Sequence, residues 1–230
     1  MKFPIGIQSF ERIIQEGYVY VDKTDIIYDL THNGSIYFLS RPRRFGKSLL
    51  VSTLENYYSG RKELFRGLAI EKMETEWNEY PVFHVDFNGS NFTKQGILEN
   101  RIGSYISDWE KQYALDSGSI ETDLGNRFMK VLKVAHEQTG RRAVVLVDEY
   151  DKPILDVLDV DADLENNHRN ILKAFYSVFK GADKHLQFVL LTGVTKFSQV
   201  SVFSGFNQPK DISMDARYEA LCGITQEEIE

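Results

Sequence analysis

One cysteine, Cys222, stands in a chain of 230 residues. That scarcity excludes an intramolecular disulfide and a cysteine-rich metal site. Histidine is sparse as well: the five histidines are scattered at no ligand spacing. His84 alternates within a strand pattern and reads as a packed or surface residue rather than a catalyst. No apolar run reaches transmembrane length, and the first residues carry no signal-peptide pattern, so the expectation is a cytoplasmic protein without a membrane partner. There is no internal repeat and no low-complexity tract. Positive charge is not in surplus either. The 27 Lys and Arg against 34 Asp and Glu leave a net charge of −7, which argues against a general nucleic-acid footprint but leaves room for a local basic patch. What is present is ordinary globular material, 42% apolar. It suits one large α/β domain with a real core.

The most informative stretch is Arg41-Pro42-Arg43-Arg44-Phe45-Gly46-Lys47-Ser48. It follows the apolar run Ile36–Leu39, which reads as a buried strand, and precedes Leu49–Tyr58, which reads as a helix. Strand, loop ending in Gly-Lys-Ser, then helix is the context of a phosphate-binding P-loop. Free N–H groups at a helix start and the positive end of the helix dipole form an anion site. The cradle would comprise Arg43, Arg44, Phe45, Gly46, Lys47, Ser48 and Leu49. Lys47, read as solvent-reachable in the empty loop, would meet the outer phosphates of ATP, and the Ser48 hydroxyl would ligate Mg²⁺. Arg41 stands where the usual pattern has its first glycine, a departure that restricts the backbone of the cradle.

A second motif lies about a hundred residues on. Ala143–Val147 is a continuous apolar run ending in Asp148 and Glu149, the pattern of a parallel strand buried on both faces. Ligand sites in open α/β sheets lie at the carboxyl ends of strands. Asp148 is therefore the candidate for the Mg²⁺ shell and Glu149 for polarising the attacking water. A third apolar run, Leu186–Leu191, ends in Thr192-Gly193-Val194-Thr195-Lys196. Thr192 is the first candidate for a polar residue sensing the γ-phosphate, with Thr195 and Lys196 behind it.

The rest of the chain supplies the scaffold. Residues 10–33 hold two helical patterns around Tyr18–Val21. Asp22 is placed to cap the second, and Asn33-Gly34 to end it. Residues 1–34 read as a helical extension packed on a core spanning residues 35–230. Pro81–Phe87 reads as a strand, followed by helices near 94–115, 122–138 and 164–180. Tyr105, Trp109 and Tyr113 recur at helical spacing as a core stripe. This alternation predicts a three-layer α/β/α fold with a mostly parallel sheet. The expected strand order is 5-1-4-3-2, with Ala220–Ile224 as the possible fifth strand. Gln226–Glu230 reads as a helix just beginning, so the chain reads as stopping short of its natural end.

Four segments together resemble the AAA-ATPase-like domain family: Tyr20-Val21-Asp22-Lys23-Thr24, Arg41 to Ser48, Val147-Asp148-Glu149-Tyr150-Asp151-Lys152-Pro153, and Thr192 to Ser198. The resemblance runs from Pro4 to the end. It implies a bacterial P-loop ATPase domain, and similar proteins carry the same Arg-Pro-Arg-Arg-Phe-Gly-Lys-Ser form. They commonly continue into a PD-(D/E)XK nuclease-like domain, which implies a possible nucleic-acid partner outside these residues. By analogy with P-loop proteins of this sort, Tyr20, Asp22, Lys23 and Thr24 are candidates to line an adenine pocket. Packing and capping explain each of them taken singly.

Three functions stand open. The first is an ATPase domain driving conformational change, with Glu149, Lys47 and Thr192 as its catalytic groups. The second is a nucleotide-gated switch or scaffold with little hydrolysis. The third is a nucleic-acid module gripping a phosphate backbone with Arg41, Arg43 and Arg44. A P-loop kinase lacks a separate acceptor signature. An arginine finger from a second subunit is compatible with an oligomer, and Arg169 and Arg217 are the in-chain alternatives.

Overall fold

The computed structural model describes residues 1–115, 121–196 and 209–229. Phe197 and Ser198 of the fourth motif, and Glu230, lie outside the described residues. Five parallel strands make one sheet: β1 (Ile36–Ser40), β2 (Val82–Asp86), β3 (Ala143–Asp148), β4 (Leu186–Gly193) and β5 (Lys210–Asp211). Their spatial order is β2-β3-β4-β1-β5, the expected 5-1-4-3-2 read from the other edge. The helices are α1 (Phe10–Gln15), α2 (Thr24–His32), α3 (Lys47–Tyr58), α4 (Ile97–Gln112), α5 (Leu124–Thr139), α6 (Lys152–Leu155) and α7 (Ala162–Gly181), with a final single turn at Gln226–Ile229.

The period of two in the central strands sorts their side chains onto two faces. Phe38, Val145, Val147, Val189 and Leu191 join an apolar cluster with residues of α4, α5 and α7, including Ile106, Phe128 and Phe175. Tyr37, Leu39, Val144, Leu146, Phe188 and Leu190 join a second cluster with Phe10, Ile27, Leu30, Val51 and Leu54. The sheet is thus the middle of three layers, and α1 and α2 share the core of α3. All six residues of β3 are buried, which is why that strand shows no polar alternation in the sequence. Tyr105, Trp109 and Tyr113 are core, as the stripe predicts. Trp109 and Tyr113 are buried, and the Tyr105 and Trp109 rings stack at 5.7 Å.

Helix boundaries follow local capping. Asp123 accepts a hydrogen bond from the Asn126 N–H at the start of α5, and Asp161 accepts one from the Leu164 N–H at the start of α7. Each satisfies one of the orphan donors of a helix terminus. Asp22 works one position earlier than expected. Its carboxylate takes the Thr24 N–H and hydroxyl, and its other oxygen takes the Ala69 N–H at 2.7 Å. It therefore ties α2 to the 3₁₀ turn Ala69–Lys72 rather than capping α2 alone.

The fifth strand departs from expectation. Ala220 and Leu221 close a 3₁₀ helix, Ala216–Leu221, instead of forming a strand. Leu221 and Cys222 are apolar because they fill the second core cluster. The actual edge strand, Lys210–Asp211, is two exposed charged residues pairing with Tyr37 and Phe38. Charge on a very short edge is a usual defence against edge-to-edge pairing, and it leaves no apolar signal to read.

Gly193 ends β4 where no side chain fits. A Cβ there would lie 2.4 Å from the Tyr150 ring and 2.8 Å from Asp151 Oδ1. Gly193→Ala is expected to cost about 1–3 kcal/mol, the range for overpacking a tight interior. Urea unfolding checks this, and an unchanged midpoint would show that the β3–β4 end is loosely packed.

Candidate functional site

The carboxyl ends of β1, β3 and β4 converge at the start of α3. The loop from Arg41 to Gly46 places Arg44 at φ 63° and Gly46 at φ 89°, left-handed conformations that turn backbone N–H groups toward one side. The amides of Lys47, Ser48 and Leu49 have no backbone acceptor among the described residues. They are the orphan donors of a helix start. Arg43, Arg44 and Phe45 are exposed beside them, and Ser48 is half-buried.

Lys47 is not solvent-reachable, contrary to the sequence-based expectation. It is 3% exposed. Its ammonium lies 3.1 Å from Glu149 Oε1 and donates to the carbonyls of Arg41, at 3.1 Å, and Pro42, at 3.3 Å. The loop folds its own carbonyls over the charge because an ammonium this deep requires acceptors. Glu149 sits just past β3 at φ 55°, an uncommon backbone state for a residue with a side chain. Burial pushes its carboxyl above the usual carboxylate range, against the pull of Lys47.

Asp148 is 2% exposed. Its Oδ1 accepts the Thr192 hydroxyl at 2.5 Å. Thr192 is fully buried, so its hydroxyl is already committed to Asp148 and, more distantly at 3.4 Å, to the Val147 carbonyl. Thr195 is committed too. It gives its N–H at 2.7 Å and its hydroxyl at 2.8 Å to Asp151 Oδ2, which also takes the Val194 N–H at 3.0 Å. Lys196 pairs with Asp211. Asp151 is a residue that sequence reasoning missed as a site element. Its place two positions after Glu149 was the available signal. It is fully buried and holds the segment after β4 in place.

Arg41 explains its own departure from glycine. Its guanidinium donates to the carbonyls of Ser40, at 3.1 Å, Ser213, at 2.5 Å, and Tyr218, at 3.3 Å. It anchors the stretch after β5 against the loop. That stretch closes on the loop further along. Gly223, at φ 84°, abuts the Phe45 ring, where a Cβ would meet Phe45 at 2.7 Å. Lys23, only 7% exposed, pairs with Glu228. Lys23 is thus occupied by an ion pair, and Thr24 is buried as an acceptor for the Ile70 N–H. Burial pushes the Cys222 thiol up to about 12, so the one cysteine is a packing residue and no nucleophile. Arg169 pairs with Glu165 and Arg217 with Asp215. His84 binds Glu55 at 3.0 Å.

The oxygen donors fit a hard cation shared with phosphates. Among the described residues no group of three or more His, Cys, Asp or Glu could hold a metal. A Mg²⁺ ion bound through one or two protein oxygens plus substrate phosphates needs no such group. Asp148, at the end of β3, and Ser48, in the first turn of α3, could supply those oxygens. The amides and free arginines beside them suit the phosphates.

A five-stranded parallel sheet in this order, with the loop–helix anion cradle at its carboxyl end, defines a P-loop NTPase-like α/β domain. The chain belongs to the AAA-ATPase-like family, whose model, described as a predicted AAA-ATPase, matches residues 4–203. This is a family of predicted ATP-binding ATPases. The chain is also 43% identical over all of its 230 residues to a protein of Azotobacter chroococcum mcd 1 described as an uncharacterized protein in the vnfD 5' region. It spans 44% of that relative's length. No helix among the described residues is long and apolar enough to cross a membrane.

Removing the Lys47 ammonium would strand the buried Glu149 carboxylate. Lys47→Ala is therefore expected to cost about 3 kcal/mol near neutral pH, as for other broken buried pairs. In the variant the Glu149 pKa lies above its unfolded value, so its penalty is absent below the unfolded value and grows as pH rises through the folded one. Denaturant titrations of both proteins from acid to neutral pH check this. A deficit independent of pH would exclude the pair as its source.

Proposed function

We propose that this domain binds ATP with Mg²⁺ and hydrolyses it, using the energy to change the position of whatever the rest of the protein carries. The observation that supports this most is the meeting of Lys47 and Glu149 at 3.1 Å, beside a run of helix-start amides with no backbone acceptor among the described residues. Phosphate oxygens arriving at the loop would compete for the Lys47 ammonium and free Glu149. A carboxylate released into a dry site, already raised by burial, is a better proton acceptor than an exposed one. Glu149 would then take the proton of the attacking water. Asp148, held by Thr192, and Ser48 would supply oxygens to Mg²⁺, whose chemistry when bound is to neutralise charge on the transferred phosphoryl group. Thr192 acts in this scheme as a positioning residue for Asp148. The amides of Thr195 and Val194 are held by Asp151.

The switch reading, with binding and little hydrolysis, draws support from the same ion pair, which ties up Glu149 in the nucleotide-free state. The nucleic-acid reading is weaker, since Arg41 spends its donors on three carbonyls and only Arg43 and Arg44 remain for a phosphate backbone. A nuclease-like domain beyond this chain, a nucleic-acid partner for it, assembly into oligomers and a cytoplasmic setting belong to the proposal for the whole protein.

Glu149→Gln is expected to keep Mg-ATP affinity and lose turnover roughly 100-fold or more, the range for a general base. Asp148→Asn should weaken the Mg²⁺ dependence of binding. Calorimetric titration with ATP, ADP and GTP, followed by phosphate release, measures both. Wild-type protein that binds but shows no turnover, with DNA or partners present, would replace the ATPase reading with the switch.

The double variant Arg43→Ala, Arg44→Ala separates nucleotide from nucleic acid. ATP affinity is expected to fall, and duplex DNA should not compete with nucleotide. Intact ATP affinity with a flattened salt dependence of DNA binding would favour the nucleic-acid reading instead.

A further inference from the structure

A cavity of about 370 Å³ lies at the other end of the sheet, where the strands begin. Its lining includes Tyr28, His32, Tyr57, Tyr58, Glu74 and Tyr80. It shares no residue with the loop–helix site described above.

The wall carries two carboxylates, Glu74 and Glu76, and one group that is cationic only when protonated, His32. Glu74 is 10% exposed, yet its hydrogen-bond partners are neutral: the Tyr57 hydroxyl and the Glu76 N–H. Burial by itself raises its carboxyl, but these donors hold it below the usual range, so it stays charged. The nearest cationic group is the His32 ring, 4.0 Å away and charged only when protonated. Glu76 lines the same cavity and takes a hydrogen bond from Asn78. Two helices also end there. α2 closes at Thr31–His32 and α3 at Tyr57–Tyr58, and the last turn of α3 carries no basic residue. The negative ends of both dipoles therefore reach the cavity uncompensated on the α3 side. Buried carboxylates are normally paired with a cation.

Two further observations point to a ligand. Tyr58 lines the cavity and is 3% exposed, and its hydroxyl has no hydrogen-bond partner among the described residues. Such buried orphans are rare in native proteins. The Arg141 guanidinium rests over the Tyr80 ring at 5.8 Å and donates to the Asn78 side chain, so one of the lining rings already accepts a cation. Aromatic faces beside a carboxylate are the recognition chemistry for organic ammonium groups.

We propose that this cavity is a binding site for a small organic cation, with Glu74 as counter-ion, the tyrosine rings as walls and the Tyr58 hydroxyl as a polar contact. α3 runs from Lys47 at the phosphate loop to Tyr57 and Tyr58 in the cavity, so one rigid element touches both sites.

The test is titration of the purified chain at constant ionic strength with choline and n-butylammonium, and with 3,3-dimethylbutan-1-ol as the neutral isostere of choline. Trp77, whose ring lies 5.9 Å from Tyr57, reports by fluorescence. Saturable binding of at least one cation is expected, with the neutral alcohol roughly tenfold weaker. Glu74→Gln should lose roughly tenfold in affinity. Tyr58→Phe removes only the orphan hydroxyl, leaves the fold intact and should weaken binding several-fold. The proposal is overturned if neither cation saturates in the millimolar range, if the alcohol binds as well as choline, or if both variants bind like wild type.

Discussion

Three carboxylates at the end of one buried strand constrain this molecule more than any other feature. Asp148 ends a strand whose every residue is buried, and Glu149 and Asp151 follow it; Asp148 and Asp151 are buried and the Glu149 side chain is only 13% exposed, so none is freely hydrated. Each has a dedicated partner from a different part of the chain. Asp148 has the Thr192 hydroxyl of β4, Glu149 has the Lys47 ammonium of α3, and Asp151 has the amides of Val194 and Thr195. Desolvation makes each unmet acid costly, so the three pairings lock β3, β4 and α3 into one register. The chemistry proposed for the site draws on the same groups. An acid that is expensive to bury is also an acid ready to accept a proton or a cation.

The phosphate loop is bound to the rest of the fold in an unusual way. It is tied to the chain that follows β5, because Arg41 reaches the Ser213 and Tyr218 carbonyls and Phe45 packs on Gly223. An arginine replaces the usual glycine because its work is done behind the cradle, not within it. Its charge-assisted bonds make the loop and the segment from 213 to 228 a single unit. The Lys23–Glu228 pair brings the start of α2 into it as well.

Much of the fold was legible because its signals are periodic. The apolar runs at 36–39, 143–147 and 186–191 are central strands since a strand buried on both faces admits no polar residue. The charged two-residue edge strand was illegible for the opposite reason: an edge must avoid apolar surface. At the site, Lys47, Ser48, Asp148, Glu149 and Thr192 were all marked by position in the order of elements. Their partners were not. Asp151 looked like one more acid in a loop, Lys47 was expected to face solvent, and Thr192 was expected to face a ligand rather than Asp148. Lys23 and Thr24, candidates for lining a pocket, proved to be an ion-paired lysine and a buried acceptor.

By itself the sequence determined which strands are central and which polar residues stand at their ends, because residue type and periodicity are local properties. Tertiary structure alone decided what each charged group faces. Lys47 and Glu149 are 102 positions apart, Arg41 and Tyr218 are 177 apart, and no local rule pairs them. The aromatic and acidic cavity at the foot of the sheet belongs to the same category. Tyr28 comes from α2, Tyr58 from α3, and Glu74 and Tyr80 from the connection before β2, and their meeting depends on how α2 and α3 pack on one face of the sheet. Burial then turns ordinary side chains into a charged wall, since desolvation and helix ends act on position in space and not on position in the chain.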